Sequence, residues 1–110
     1  MKSPEPYFAR IHRALAAIST YRPADEQSFL AQQMIQDATL MRLQEIGENL
    51  ARLRHFDEAA FDAIAADSWY KLIGLRNIIS HGYHDIDPEQ IWQIVTVEIP
   101  RFARTVPPAP

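Results

Sequence analysis

Trp69-Tyr70-Lys71-Leu72-Ile73-Gly74-Leu75-Arg76-Asn77-Ile78-Ile79-Ser80-His81-Gly82-Tyr83 carries both the strongest fold signal of the chain and its densest chemistry. Trp69, Leu72, Ile73, Leu75, Ile78 and Ile79 make a helix that is apolar around most of its circumference, so it needs packing partners on several sides. A polar stripe interrupts that surface. At ~100° per residue, Arg76, Ser80, Asn77 and His81 fall at about 0°, 40°, 100° and 140°, on one side of the helix. A guanidinium, a hydroxyl, a carboxamide and an imidazole can then converge on one anionic ligand. Ordinary helix termination accounts for part of this: Gly82 suits the left-handed position after a helix end, and His81 in the last turn complements the dipole. It leaves Arg76 and Asn77, one turn earlier, without a reason.

Working outward, Asp87-Pro88-Glu89-Gln90 is a helix start, with Asp as N-cap, Pro at the first helical position and Gln at the third position of a capping box. The helix it opens is predicted to run to about Ala103, burying Ile91, Ile94, Val95 and Phe102 and kinking at Pro100. Upstream, Asp57 caps a short helix through Ile64, and Asp67 or Ser68 caps the helix that carries the polar stripe. From Asp25 to Leu53 there is almost no helix breaker, and Leu30, Met34, Met41, Ile46, Leu50 and Leu53 fit an apolar stripe. That pattern predicts one long central helix, kinked near its start, with the methionines packed in the core or at a subunit interface. Gly47 within it is read as a point of close helix approach. Phe8, Ile11, Leu15 and Ile18 define a first helix that starts at Pro4 or Pro6 and ends near Thr20, ahead of Pro23.

Four or five antiparallel helices with short loops read as an all-α bundle. The expected organisation is a single domain over 1–104 followed by a disordered proline-rich tail over 105–110. A chain of 110 residues has room for one core, burying roughly two-thirds of its unfolded surface. It has no cysteine, which excludes disulfides and thiolate metal sites and is compatible with a reducing cytoplasm. No apolar run approaches ~18 residues and no leader pattern is present, so a soluble cytoplasmic protein without membrane contact is expected. The net charge of −3 argues against broad electrostatic wrapping of nucleic acid, so any RNA contact must be local. Arg76 and His81 can supply it, with Lys2, Arg10, Arg13, Arg101 and Arg104 near the chain ends. His12 and His55 lie outside the stripe and are read as surface residues.

Arg76, His81 and Tyr83 spell R-x4-H-x-Y. Together with Leu43-Gln44-Glu45-Ile46-Gly47-Glu48, which is similar to L-x-x-I-G-E, and Asp87 to Trp92, similar to D-x4-W, the motif resembles the HepT family of HEPN-domain toxins. The resemblance spans 36–100; Asn49, where the family commonly has a small residue, departs from it. It implies a HEPN-like helical bundle that forms a homodimer, with the two motifs facing a shared cleft. It further implies a toxin of a toxin–antitoxin pair: a metal-independent endoribonuclease with no cofactor, acting on RNA. The implied partner is a cognate, MntA-like nucleotidyltransferase antitoxin that transfers AMP onto Tyr83.

The residue types suit that chemistry. An imidazole ordinarily titrates near neutrality and can move a proton, and a guanidinium offers paired hydrogen bonds to phosphate oxygens. His81 and Arg76 are therefore the expected catalytic pair, with Asn77 and Ser80 positioning phosphate or ribose. Two other readings stand beside this one. His81, His84, Asp85 and Asp87 offer nitrogen and oxygen ligands for a metal, although H-x2-H across a helix end is poor geometry for it. From a different class, the chain is a non-catalytic helical partner, or nucleotide-binding subunit, of a minimal nucleotidyltransferase.

Overall fold

The computed structural model describes residues 3–82 and 85–108; all regular structure among them is helical. Helix α1 (Glu5–Tyr21) starts behind Pro4 and stops two residues before Pro23. Helix α2 (Glu26–Leu30) is capped by Asp25, whose carboxylate accepts from the Ser28 N–H at 2.8 Å. Helix α3 (Gln33–Phe56) follows. The long helix expected from Asp25 is thus broken at Ala31–Gln32. Gln36 explains how the break is tolerated: its Nε2 donates to the carbonyls of Phe29 and Leu30 at 3.0 and 3.2 Å, satisfying groups that a continuous helix would have paired.

Helix α4 (Glu58–Ile64) is capped by Asp57 as expected, through the Ala60 N–H at 3.1 Å. Helix α5 (Asp67–Gly82) carries the polar stripe. It begins at Asp67, so neither expected cap precedes it. Gly82 is the last described residue of the helix, and no described glycine has a positive φ; the left-handed conformation expected at Gly82 is absent. Helix α6 (Pro88–Gln93) is capped by Asp87, through the Glu89 N–H instead of the third-position N–H of the expected box. A π turn (Ile94–Glu98) then leads into α7 (Ile99–Thr105). The expected kink at Pro100 takes this form because a proline ring clashes with the carbonyl four residues back, and a widened turn gives it room.

Helix α3 is the central rod, with its two largest interfaces against α1 and α5. Trp69 anchors the other end of the core. It is fully buried and meets Phe8, Phe61 and Phe102 edge-on at centroid distances of 6.5, 5.4 and 6.0 Å, joining α1, α4, α5 and α7. Burying side chains of this size is worth about 1.5–3 kcal/mol each, and such edge-on aromatic pairs add about 0.5–1.5 kcal/mol. The Trp69 indole N–H donates to Thr105 Oγ1 at 2.9 Å, so the core also fixes the end of α7. The chain expected to loosen from 105 is held further on: Val106 is buried, and His12 Nε2 donates to the Pro107 carbonyl at 2.6 Å. His12 is accordingly half-buried and structural, not a free surface residue.

Four residues of the expected apolar stripes are open on the protomer: Leu30, Met34, Met41 and Ile78 are 39%, 84%, 61% and 56% exposed, which removes the core alternative for these two methionines, whereas Leu40 and Leu43 join Ile46, Leu50 and Leu53 in the core from α3. No helix among the described residues is long and apolar enough to cross a membrane.

The contact between α3 and α5 depends on Gly47. A Cβ there would lie 2.6 Å from the Leu72 carbonyl oxygen and 2.7 Å from Arg76 Cβ, and the first of these is backbone that cannot swing away. Gly47→Ala should therefore push the helices apart and destabilise by about 1–3 kcal/mol. At roughly 4–8 °C per kcal/mol, a thermal melt within 1 °C of wild type would refute the close-approach role.

Candidate functional site

The α3–α5 crossing sets one turn of each helix side by side, Gln44 to Glu48 against Arg76 to Ser80. Arg76 is half-buried and donates from Nη1 to Glu48 Oε2 at 2.9 Å. Its Nε and Nη2 both donate to Asn77 Oδ1, at 3.2 and 2.7 Å. Three of the five guanidinium N–H groups are thereby occupied, which leaves one on each terminal nitrogen for a ligand. Asn77 is exposed and has its oxygen engaged by Arg76. These contacts turn a flexible side chain into a fixed donor.

One turn on, Gln44 Nε2 donates to Ser80 Oγ at 3.1 Å, so the hydroxyl hydrogen of Ser80 remains able to donate outward. His81 is exposed in the last turn of α5, and no hydrogen bond to it occurs among the described residues. The stripe is therefore not one converging cluster within the protomer. Arg76 and Asn77 are in contact, Ser80 is tied to α3, and His81 stands apart, five residues and so about 7.5 Å along the helix axis from Arg76. Tyr83 and His84 lie outside the described residues. Among the described residues no three His, Cys, Asp or Glu side chains are grouped to hold a metal ion.

Glu48 and Gln44 are the site residues that carry no assigned role when the sequence is read alone. Both sit in the Leu43–Glu48 segment, so the signal was present, but a helical periodicity does not say which residue of another helix faces it. Glu48 also accepts from Arg52 Nε at 3.1 Å and so bridges two guanidiniums. The Arg76 hydrogen bond, reinforced by Arg52, holds the Glu48 carboxyl below its usual range against the opposing effect of burial. A further polar contact on this part of α3 is local: Asn49 is buried and back-bonds to the Glu45 carbonyl at 2.8 Å, as a packing residue would.

A depressed carboxylate contributes stability above its unfolded pKa and loses it as pH falls through the folded value. Glu48 is partly open to solvent, so the contribution stays within ~1 kcal/mol. In urea unfolding, the gap between wild type and Glu48→Gln should be present at pH 7 and close below the unfolded value of 4.5. A gap that persists unchanged at pH 3 would show that the carboxylate charge is not what holds Arg76.

A protein of Methanocaldococcus jannaschii named "Putative RNase MJ1380" is 30% identical over 82 residues, covering 74% of this chain and 72% of the relative. No solved structure matches the chain. Residues 11–108 match the family described as Ribonuclease HepT-like. That span includes the crossing of α3 and α5 and every residue of the stripe, and the chain belongs to the HepT-like ribonuclease family.

Proposed function

We propose that this protein is the toxin of a toxin–antitoxin pair, an endoribonuclease that cleaves RNA by metal-independent transesterification with Arg76 and His81 as its catalytic residues. The observation that carries the reading is Arg76 itself. A guanidinium braced by Glu48 and Asn77, with one N–H free on each terminal nitrogen, is pre-organised for a phosphate. In the reaction the ribose 2′-oxygen bonds to the adjacent phosphorus and the 5′-oxygen leaves. The products are a 2′,3′-cyclic phosphate and a new 5′-hydroxyl. One imidazole accepts the 2′-hydroxyl proton and another donates to the leaving oxygen, a contribution of about 10²–10⁴ in rate for such a group. Arg76 stabilises the charge that builds on the phosphorane, while Asn77 and Ser80 orient phosphate and ribose.

One chain has one motif histidine, so the second comes from a second copy. Gly74 and Ile78 lie one turn apart on the open side of α5, with no atom above Gly74 and Ile78 exposed. Asn77 and His81 share that side at helical spacing. Two-fold packing through it would bury Ile78 and bring two His81 side chains toward one cleft, each beside its own Asn77, with Arg76 on the other flank of Asn77, to which it is hydrogen-bonded.

Control of the toxin is assigned to Tyr83, two residues beyond His81 in the sequence. A nucleotidyltransferase antitoxin transfers AMP from ATP to the phenolic oxygen and releases pyrophosphate. The adduct places a purine and a negative phosphodiester at the mouth of the site, which blocks RNA and repels its phosphates.

Purified wild type, Arg76→Ala and His81→Ala on total RNA test the assignment, with and without EDTA. Wild type should cut in EDTA and leave 2′,3′-cyclic phosphate ends. Both variants should lose at least about 10² in rate while keeping wild-type helix content. Wild-type rates in either variant, or EDTA-sensitive cutting with 3′-hydroxyl ends, would overturn the mechanism. A dimer with one His81→Ala chain that kept half the activity or more would refute the shared cleft.

Tyr83→Phe should keep most of the nuclease activity and escape neutralisation by the antitoxin and ATP. Mass spectrometry of co-expressed wild type should find AMP on the Tyr83 peptide; adducts confined to Tyr7, Tyr21 or Tyr70 would reassign the switch.

A further inference from the structure

Beside the catalytic arginine, a groove of about 490 Å³ runs along α3 toward α1, within the ~300–1,000 Å³ of small-ligand clefts. Arg76 and Glu48 form one end. Arg52, His55 and Phe56 continue it along the exposed side of α3, and Tyr7 of α1 closes it. Glu48 is the one acid in this lining, and it is shared by two guanidiniums. In a chain of net charge −3, this is a local excess of positive charge that touches the proposed catalytic centre. Arg10 extends it, with its guanidinium 5.8 Å from the Tyr7 ring centroid.

The groove is also aromatic. Tyr7 and Phe56 meet edge-on at 6.5 Å, and Phe56 keeps an exposed surface that no core contact uses. Cations interleaved with aromatic faces in an open groove suit single-stranded nucleic acid, in which bases stack on rings and phosphates track the cations. Energetics favour the exchange. The Arg52–Glu48 pair is largely solvent-exposed, so it contributes little and can be traded for a phosphate. Arg76 remains fixed by Asn77 and Glu48 meanwhile.

We propose that the groove lined by Tyr7, Arg52, His55, Phe56 and Arg76 is a subsite for single-stranded RNA, holding the first nucleotide beyond the two that flank the scissile phosphate, with its base on the aromatic pair and its phosphate on Arg52 and His55. The proposal rests on the ribonuclease reading and adds to it a substrate form and a direction along the protein. The RNA strand runs from Arg76 toward α1. Recognition by stacking and charge is tolerant of sequence, so the nucleotide in the groove is selected for being unpaired more than for its identity.

The test compares Arg52→Gln and Phe56→Leu with wild type on a dinucleotide and on a single-stranded decamer containing the same step. Binding of the decamer is measured by anisotropy in the His81→Ala background. Arg52 is exposed and its substitution leaves the core intact. Both variants should raise KM on the decamer about 5–20-fold with kcat unchanged and leave the dinucleotide unaffected. For Arg52→Gln the salt slope of decamer binding should also fall by about 0.7, the value of one lost single-strand phosphate contact. Wild-type behaviour of both variants on the decamer overturns the subsite while the ribonuclease reading stands. Equal losses on dinucleotide and decamer also overturn it, because Arg52 would then act through Glu48 on Arg76. RNA binding that depends on Arg52 in a protein that cuts nothing upholds the groove and refutes the nuclease. If Arg52→Gln alters self-association alone, the face is a protein interface and the proposal fails.

Discussion

The absence of a side chain at Gly47 is the constraint on which the site depends. With a Cβ there, the Leu72 carbonyl and Arg76 Cβ could not occupy their positions, and α5 would stand off from α3. A shift of even one ångström would lengthen the Arg76–Glu48 and Ser80–Gln44 contacts, at 2.9 and 3.1 Å, beyond ordinary hydrogen-bond reach. Packing thus comes first and the polar contacts follow from it. The aromatic cluster around Trp69 supports the same crossing from the other end of α5, where its ring meets residues of α1, α4 and α7.

Magnitudes separate what holds the fold from what orients the site. Each large core side chain contributes about 1.5–3 kcal/mol by burial, whereas exposed ion pairs contribute about 0–1 kcal/mol. The Glu48 network is therefore an orienting device. Arg76 lies deeper than Arg52 on the same carboxylate, with side chains 26% and 60% exposed. Arg76 is the fixed group of the pair, and Arg52 the one that can move to a ligand.

The fold and the site meet again at the protein's surface. Ile78, Met34 and Met41 fit helical apolar stripes in the sequence yet face outward. Burial of such residues by a second copy is a reading that a single protomer invites, and the solitary, exposed His81 invites it from the side of the chemistry. The net charge of −3 disfavours RNA along most of the surface, and the proposed reading places affinity on the few cations that the crossing gathers.

The sequence by itself determined the helical class, the Asp57 and Asp87 caps, the close-approach role of Gly47 and the membership of Arg76 and His81 in one motif. These are legible because they are local: caps act within three residues, a helical stripe repeats every three or four, and a motif lies within one turn or two. Only the tertiary structure decided that Glu48 and Gln44 brace the stripe, that Gln36 stitches a break between α2 and α3, and that Pro107 is tied down by His12. It also decided which apolar stripe residues go inside. Periodicity marks a face as apolar without naming what covers it, so Leu40 and Leu43 entered the core while Met34 and Met41 did not. The Arg76–Glu48 contact, which with the neighbouring Asn77 turns Arg76 from a charge into an oriented donor, joins residues 28 apart in sequence, and only the packing of one helix on another brings them together.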